Sequence, residues 1–197
     1  MHGEADTSPS DKRALWFVTG NVYKYQEARR TLEPYKIKVK MLKSPKTEIQ
    51  SDNLEIIATF AAEEAAKKLK RTVVVEDSGL FVKSLNGFPG PFSSYVYTTL
   101  GVKGLLRLIR REVHRDAYFQ ASVAVATVHG FVQSFSAKVH GTISRTAKGK
   151  NGFGFDPVFV PRGSQKTFAQ GGIEFKQKRS HRAKAFRKLA KWYIAHI

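Results

Sequence analysis

Residues 72–79 read T-V-V-V-E-D-S-G, and the fold turns on them. Thr72 and Val73–Val75 are β-branched throughout, without the polar alternation of a half-exposed strand. That pattern fits a strand buried on both faces, inside a sheet covered by helices. The abrupt change to Glu76-Asp77-Ser78-Gly79 predicts that the strand ends there. In open α/β folds the carboxyl ends of strands are where ligands bind.

Outward from this stretch, helices alternate with strands. Leu15–Thr19 is an apolar run that meets Gly20-Asn21, so it reads as a buried strand ending at a loop. A helix is expected over Tyr23–Leu32, stopped by Pro34, and a half-buried strand over the alternating residues 36–42. From Asn53, a suitable N-cap, to Lys70, the residues Ile57, Ala61, Ala65 and Leu69 recur every four positions and predict an amphipathic helix. Residues 86–91 (N-G-F-P-G-P) exclude regular structure, and 101–111 look helical. Tyr118–Val128 and Phe131–Ile143 are strands of a hairpin turning at His129-Gly130. A short strand is expected over Val158–Val160 and a final helix from near Ser180. There is no internal repeat and no long linker. Early alternation followed by a late hairpin predicts a mixed α/β sheet flanked by helices, and argues against an all-parallel one.

The 197 residues are 42% hydrophobic and 25% charged, which fits one globular domain over 13–197. Residues 1–12 are polar and lack the apolar centre of a signal peptide, so a disordered tail on a cytoplasmic protein is expected. There is no Cys, which excludes disulfides, thiolate metal sites and a cysteine nucleophile. No apolar run approaches the ~18 residues of a membrane span. With 34 Lys+Arg against 16 Asp+Glu, the net charge is +18. Such a field attracts nucleic acid, anionic lipid or phosphorylated small molecules, or is simply a solvated basic surface.

Four segments carry candidate chemistry. Thr19-Gly20-Asn21-Val22-Tyr23-Lys24 lies where a strand turns into a helix, and a helix start is a seat for phosphate. Gly20 permits close approach, Thr19 and Asn21 can hydrogen-bond, and Lys24 adds a charge; the same residues also serve as a capped helix with a surface lysine. Glu76 and Asp77 suit Mg²⁺, which takes few protein oxygens and completes its shell with phosphate and water. Asp77 could also accept a proton from water, whereas Ser78 lacks the setting of a nucleophile. Gly152-Phe153-Gly154-Phe155-Asp156-Pro157 can present an aromatic face to a base, or be a glycine-bulged strand with core phenylalanines. Lys176 with Ser180-His181-Arg182 offers donors at a helix start, or is a basic helix end. The histidines show no metal-ligand spacing.

Taken in order, five motifs resemble the inosine triphosphate pyrophosphatase family. They are T-G-N-x-x-K-x-x-E at Thr19–Glu27, E-D-S-G-L at Glu76–Leu80, L-N-G-F-P-G-P at Leu85–Pro91, G-F-G-F-D-P-x-F at Gly152–Phe159 and S-H-R at Ser180–Arg182. The absence of Cys and the Lys/Arg excess would suit a thermophilic archaeal member. The resemblance implies an elongated central mixed sheet, two lobes with a substrate cleft between them, and a homodimer. It implies Mg²⁺-dependent cleavage of ITP, dITP and XTP to the nucleoside monophosphate and pyrophosphate. It places Thr19, Asn21 and Lys24 on the triphosphate. Glu48 and Asp77 hold the metal, with Glu76 assisting, and Asp77 is the proton acceptor. Ser78 contacts substrate, while Phe153, Gly154, Phe155, Asp156, Lys176, His181 and Arg182 line the nucleoside end. The sequence departs from the family at Phe155, often Tyr or Trp, and at Arg179, usually apolar. Ala61 stands where some members carry a lysine. Two other readings compete: a Maf-like pyrophosphatase of different base preference, and a basic nucleic-acid-binding protein.

Overall fold

In the computed structural model, which describes residues 14–196 apart from 45, 46 and 48, the chain opens with β1 (Ala14–Val18), α1 (Val22–Leu32), β2 (Lys38–Leu42) and α2 (Leu54–Leu69). Then come β3 (Val73–Val82), β4 (Pro89–Gly90), α3 (Ser93–Thr99) and α4 (Gly101–Leu108). The hairpin β5 (Asp116–Ala126) and β6 (Val132–Ile143) follows, then β7 (Phe159–Pro161), α5 (Phe168–Arg179) and α6 (His181–His196). The expected tail over residues 1–12 and the metal ligand expected at Glu48 lie outside the described residues.

The seven strands form one mixed sheet in the order β2-β1-β3-β5-β6-β7, with β4 paired to β3 off that path. β1 is parallel to β2 and β3, and the remaining pairs are antiparallel. This is the mixed α/β sheet expected from the alternation of elements.

The Glu76–Gly79 stretch corrects the reading of a strand that stops. β3 runs on through it to Val82, because β5 pairs with all ten of its residues. What stops is the other neighbour. β1 pairs with β3 only as far as Val74, and β4 takes up that edge at Leu80. The interval between them carries Glu76, Asp77 and Ser78. Gly79 is required there, because a Cβ would overlap the Gly90 carbonyl where β4 crosses.

Alternation along β3 divides the sheet's two faces. Val74, with Phe17, Val123, Phe186 and Leu189, packs beneath α1 and α6. Val73 and Val75 pack with Val18 and Ala124 against the alanine-rich face of α2 (Ala58, Ala61, Ala62, Ala65, Ala66), whose small side chains let the helix lie close to the strands. Asn53 caps α2 as expected, its Oδ1 accepting from Glu55 N at 2.8 Å. A third cluster, including Leu80, Val82, Leu105, Phe119, Phe159 and Phe168, fills the other end of the sheet. Two helices were not anticipated. α3 has no capping side chain to announce it. α5 breaks its pattern at Gly171-Gly172, yet opens with a complete capping box between Thr167 and Gln170.

Candidate active site

A cleft of about 820 Å³ opens where β1 ends beside β3. Thr19, Gly20, Asn21 and Lys24 line one part of it, and Asp77 and Ser78 another. Phe153, Gly154, Phe155, Asp156, Lys176, His181 and Arg182 complete its lining. Segments as far apart in the chain as Thr19 and Arg182 thus meet in one cavity. Ile49, Gln50 and Ser51, which follow Glu48, line it too.

The first turn of α1 is built by Asn21. Its Oδ1 accepts from Tyr23 N (2.9 Å) and Lys24 N (3.2 Å), and its own N–H donates to Thr19 Oγ1 (3.1 Å). The residues expected to seat a phosphate are therefore the ones that cap the helix. The cap takes two of the N–H groups, and Gly20, Asn21 and Lys24 all line the cleft. Among the described residues, none but the glycine itself and its two chain neighbours comes within 4 Å of the point where a Gly20 Cβ would sit, so a ligand has room there.

Glu76 and Asp77 part company. Glu76 is 1% exposed and points into the α1/α6 side, where Arg182 Nε donates to its Oε1 (3.0 Å) and Lys24 Nζ stands 2.9 Å from its Oε2. Burial pushes this carboxyl up, but the Arg182 and Lys24 charges overcome that and hold it well below the usual carboxylate range. Glu76, expected to assist a metal, is not among the residues that line the cleft; its oxygens face the Arg182 and Lys24 cations, which do line it. Asp77 lies on the opposite face by alternation and lines the cleft.

The ion pairs continue. Arg182 donates from Nη1 to Glu27 Oε2 (2.6 Å) and from Nη2 to Ser78 Oγ (2.8 Å). Lys176 Nζ bridges Glu27 Oε1 (2.7 Å) and Asp156 Oδ2 (2.6 Å). Lys24, Lys176 and Arg182 thus balance Glu76, Glu27 and Asp156. Burial raises the Glu27 carboxyl, yet Arg182 and Lys176 bring it below its ordinary value; for Asp156, burial prevails over Lys176 and leaves it raised. Arg182, despite burial, is held more firmly protonated by Glu76 and Glu27.

Asp156 is the anchor of its loop rather than an open acceptor. Its Oδ2 also receives Phe153 N (2.8 Å), a contact possible because Gly152 adopts φ +81°, where a Cβ would strike that same oxygen. Phe155 is buried, edge-on to Tyr97 at 5.6 Å. His181 stacks on Phe119 (4.6 Å, 8°), and its Nδ1 finds no hydrogen-bond partner among the described residues. Burial, with the Arg182 and Lys176 charges, pushes His181 well below its ordinary value, so it is neutral at neutral pH. Ser180 caps α6 through Ala183 N (3.1 Å), and Arg179 leaves that start intact by lying over the Phe175 ring (4.3 Å).

Glu27 had a place in the first motif but no assigned role, and no local spacing points to its partners Lys176 and Arg182. Tyr23, Tyr97 and Phe119 join the site with no comparable mark in the sequence. Among the described residues no three acids or histidines gather into a metal cage. Asp77, an oxygen donor beside a phosphate seat, fits a hard cation that keeps most of its shell for phosphate and water.

A capped helix start, a carboxylate and aromatic rings lining one cleft on a mixed sheet define an α/β protein with a ligand-sized site. More narrowly, the chain belongs to the Ham1 family, whose sequence model matches residues 15–192. It is 45% identical over 181 residues to a dITP/XTP pyrophosphatase of Methanopyrus kandleri (92% of this chain, 96% of that one). It is 47% identical over 180 residues to one of Ignicoccus hospitalis (91% and 96%). The solved Ham1 protein of Staphylococcus aureus superposes with a TM-score of 0.81 at 27% identity, over 93% of this chain and 100% of that one. These relatives agree with the resemblance carried by the five motifs.

Proposed function

We propose that this chain hydrolyses purine nucleoside triphosphates bearing hypoxanthine or xanthine (ITP, dITP, XTP) to the nucleoside monophosphate and pyrophosphate. The observation that carries this is one cleft lined by the Asn21-capped helix start and Lys24, by Asp77, and by Phe153 and neutral His181. The names of the relatives support it.

In this reading the triphosphate lies on Thr19, Asn21 and Lys24, and Asp77 takes a proton from the attacking water. Asp77 and Glu48 would hold a Mg²⁺ ion, which when bound neutralises phosphate charge and lowers the pKa of water. Base choice follows from donors. Arg182 spends three of its five N–H groups on Glu76, Glu27 and Ser78, while His181 Nδ1 has no hydrogen-bond partner among the described residues, so in this reading His181 meets the O6 of hypoxanthine or xanthine. An adenine amine in that place leaves a buried group unpaired, at ~1–3 kcal/mol, or roughly 5- to 150-fold in preference. The chain beyond its tail acts as one catalytic domain of two lobes, paired as a homodimer, in the cytoplasm where such nucleotides arise.

The test is pyrophosphate release with Mg²⁺ across ITP, XTP, GTP, ATP, UTP and dTTP. Preference for ITP and XTP is expected; orthophosphate as the product, or preference for pyrimidine nucleotides, overturns the reading.

A further inference from the structure

The proposed reading sets a nucleobase against Phe153, and that ring already has a brace. Tyr23 lies against it, centroids 5.3 Å apart and planes 18° from parallel. Tyr23 is the second residue of α1 and is 56% exposed, so shelter of its own ring does not account for the contact. Phe153 needs one. It stands between Gly152 (φ +81°) and Gly154 (φ +61°), two backbone positions with little steric restraint. Beyond the pair lies a separate cavity of about 110 Å³, bounded by both rings together with Gln26 and Arg30 of α1 and Ile173 and Gln177 of α5. The two rings thus line both the cleft and this second hollow, which is open to solvent at Gln26, Arg30 and Ile173.

We propose that Tyr23 is a positioning residue for the base: it holds Phe153 as a fixed wall and ties that wall to the phosphate seat. The tie is covalent and short. Tyr23 N donates to Asn21 Oδ1 (2.9 Å), the atom that also caps Lys24 N (3.2 Å). One helical turn therefore sets both the place of the triphosphate and the place of the base wall. Lys176 Nζ, 4.1 Å from the Phe153 ring centroid, adds a cationic contact to the same ring, and its bonds to Glu27 and Asp156 hold it there.

This inference rests on reading the cleft as a purine nucleotide site, and the experiment separates the two. Steady-state hydrolysis of ITP is measured for the wild type, Tyr23→Ala and Tyr23→Phe, with inorganic tripolyphosphate as a competitive inhibitor that has no base. The Tyr23→Ala enzyme is expected to show a KM for ITP raised about 3- to 10-fold, the range for one aromatic pair. Its kcat changes less than about twofold, since the chemistry at Asp77 is untouched. Tyr23→Phe keeps the ring and restores the wild-type KM, and the inhibition constant for tripolyphosphate is the same in all three. An unchanged KM in Tyr23→Ala, or an equal weakening of tripolyphosphate, overturns the positioning role while leaving the nucleotide reading intact. A wild-type enzyme that neither hydrolyses nor binds ITP sinks the nucleotide reading first, and this inference with it.

Discussion

Glu76 and Asp77 are neighbours in the chain and opposites in the molecule. On the Glu76 side of β3, carboxylates and cations are paired within 3.0 Å, buried and charge-balanced before any ligand arrives. On the Asp77 side the strand faces a cleft of about 820 Å³. Glu76 is locked between Lys24 and Arg182, which also line the cleft, whereas Asp77 lines it directly. Two adjacent acids therefore do not make a carboxylate pair when they sit within a strand, because alternation sends them to different faces.

The contrast can be broken with two isosteric changes. Asp77→Asn removes the proton acceptor from the open side. Turnover of ITP should fall at least about 100-fold. The melting temperature should stay near that of the wild type, as checked by pyrophosphate release and thermal unfolding. Glu76→Gln should do the reverse. It leaves Arg182 and Lys24 facing a neutral amide in a buried setting, a loss of about 3–5 kcal/mol in chemical denaturation. Its folded fraction should keep more turnover than Asp77→Asn. If Asp77→Asn destabilises as much as Glu76→Gln, the division between the two faces is wrong.

Ser78 sharpens the same boundary. It lines the cleft, yet its Oγ accepts from Arg182 Nη2 at 2.8 Å, so it belongs to both sides. Ser78→Ala removes one of three partners of Arg182 and leaves Glu27 and Glu76 in place. The expected cost is about 1.5 kcal/mol, the lower range for a hydrogen bond to a charged group. A loss as large as that of Glu76→Gln would show that the hydroxyl, and not the carboxylate, holds the guanidinium.

The fold was legible where local pattern and tertiary environment agree. The valines of β3, the every-fourth-residue stripe of α2 and the His129-Gly130 turn each follow from periodicity or turn chemistry, and each is present. The continuation of β3 through Glu76–Gly79 was not legible, since only pairing with β5 keeps a polar tetrapeptide extended. The same limit governs the site. Asn21, Lys24 and His181 could be placed by their motifs, but whether a carboxylate serves a cation or a substrate depends on which helices cover its face. Glu27 lacked a visible purpose because its partners, Lys176 and Arg182, are about 150 residues away. Phe153 could be read as a base wall, but nothing in the order of residues links it to Tyr23.

The smallest effect concerns His181, which stands at the seam between the two sides. Its ring is buried on Phe119, and Arg182, Lys176 and Lys24 oppose its protonation while Glu76 alone favours it. Its value in the folded protein is well below the 6.5 of an unfolded chain. Below pH 6.5 the unfolded state therefore takes up a proton that the folded state refuses. The stability from this group is complete above that pH and is lost as the pH falls toward the folded value. The slope cannot exceed about 1.4 kcal/mol per pH unit for one proton. Denaturation midpoints measured between pH 7.5 and pH 5.5 should decline in the wild type and decline less in His181→Asn, whatever that change costs at neutral pH. Parallel slopes in the two proteins would mean that His181 is solvated or protonated in the native state. In that case it would approach a base as a cation, and the donor argument for hypoxanthine over adenine would have to rest on charge and not on a single neutral N–H.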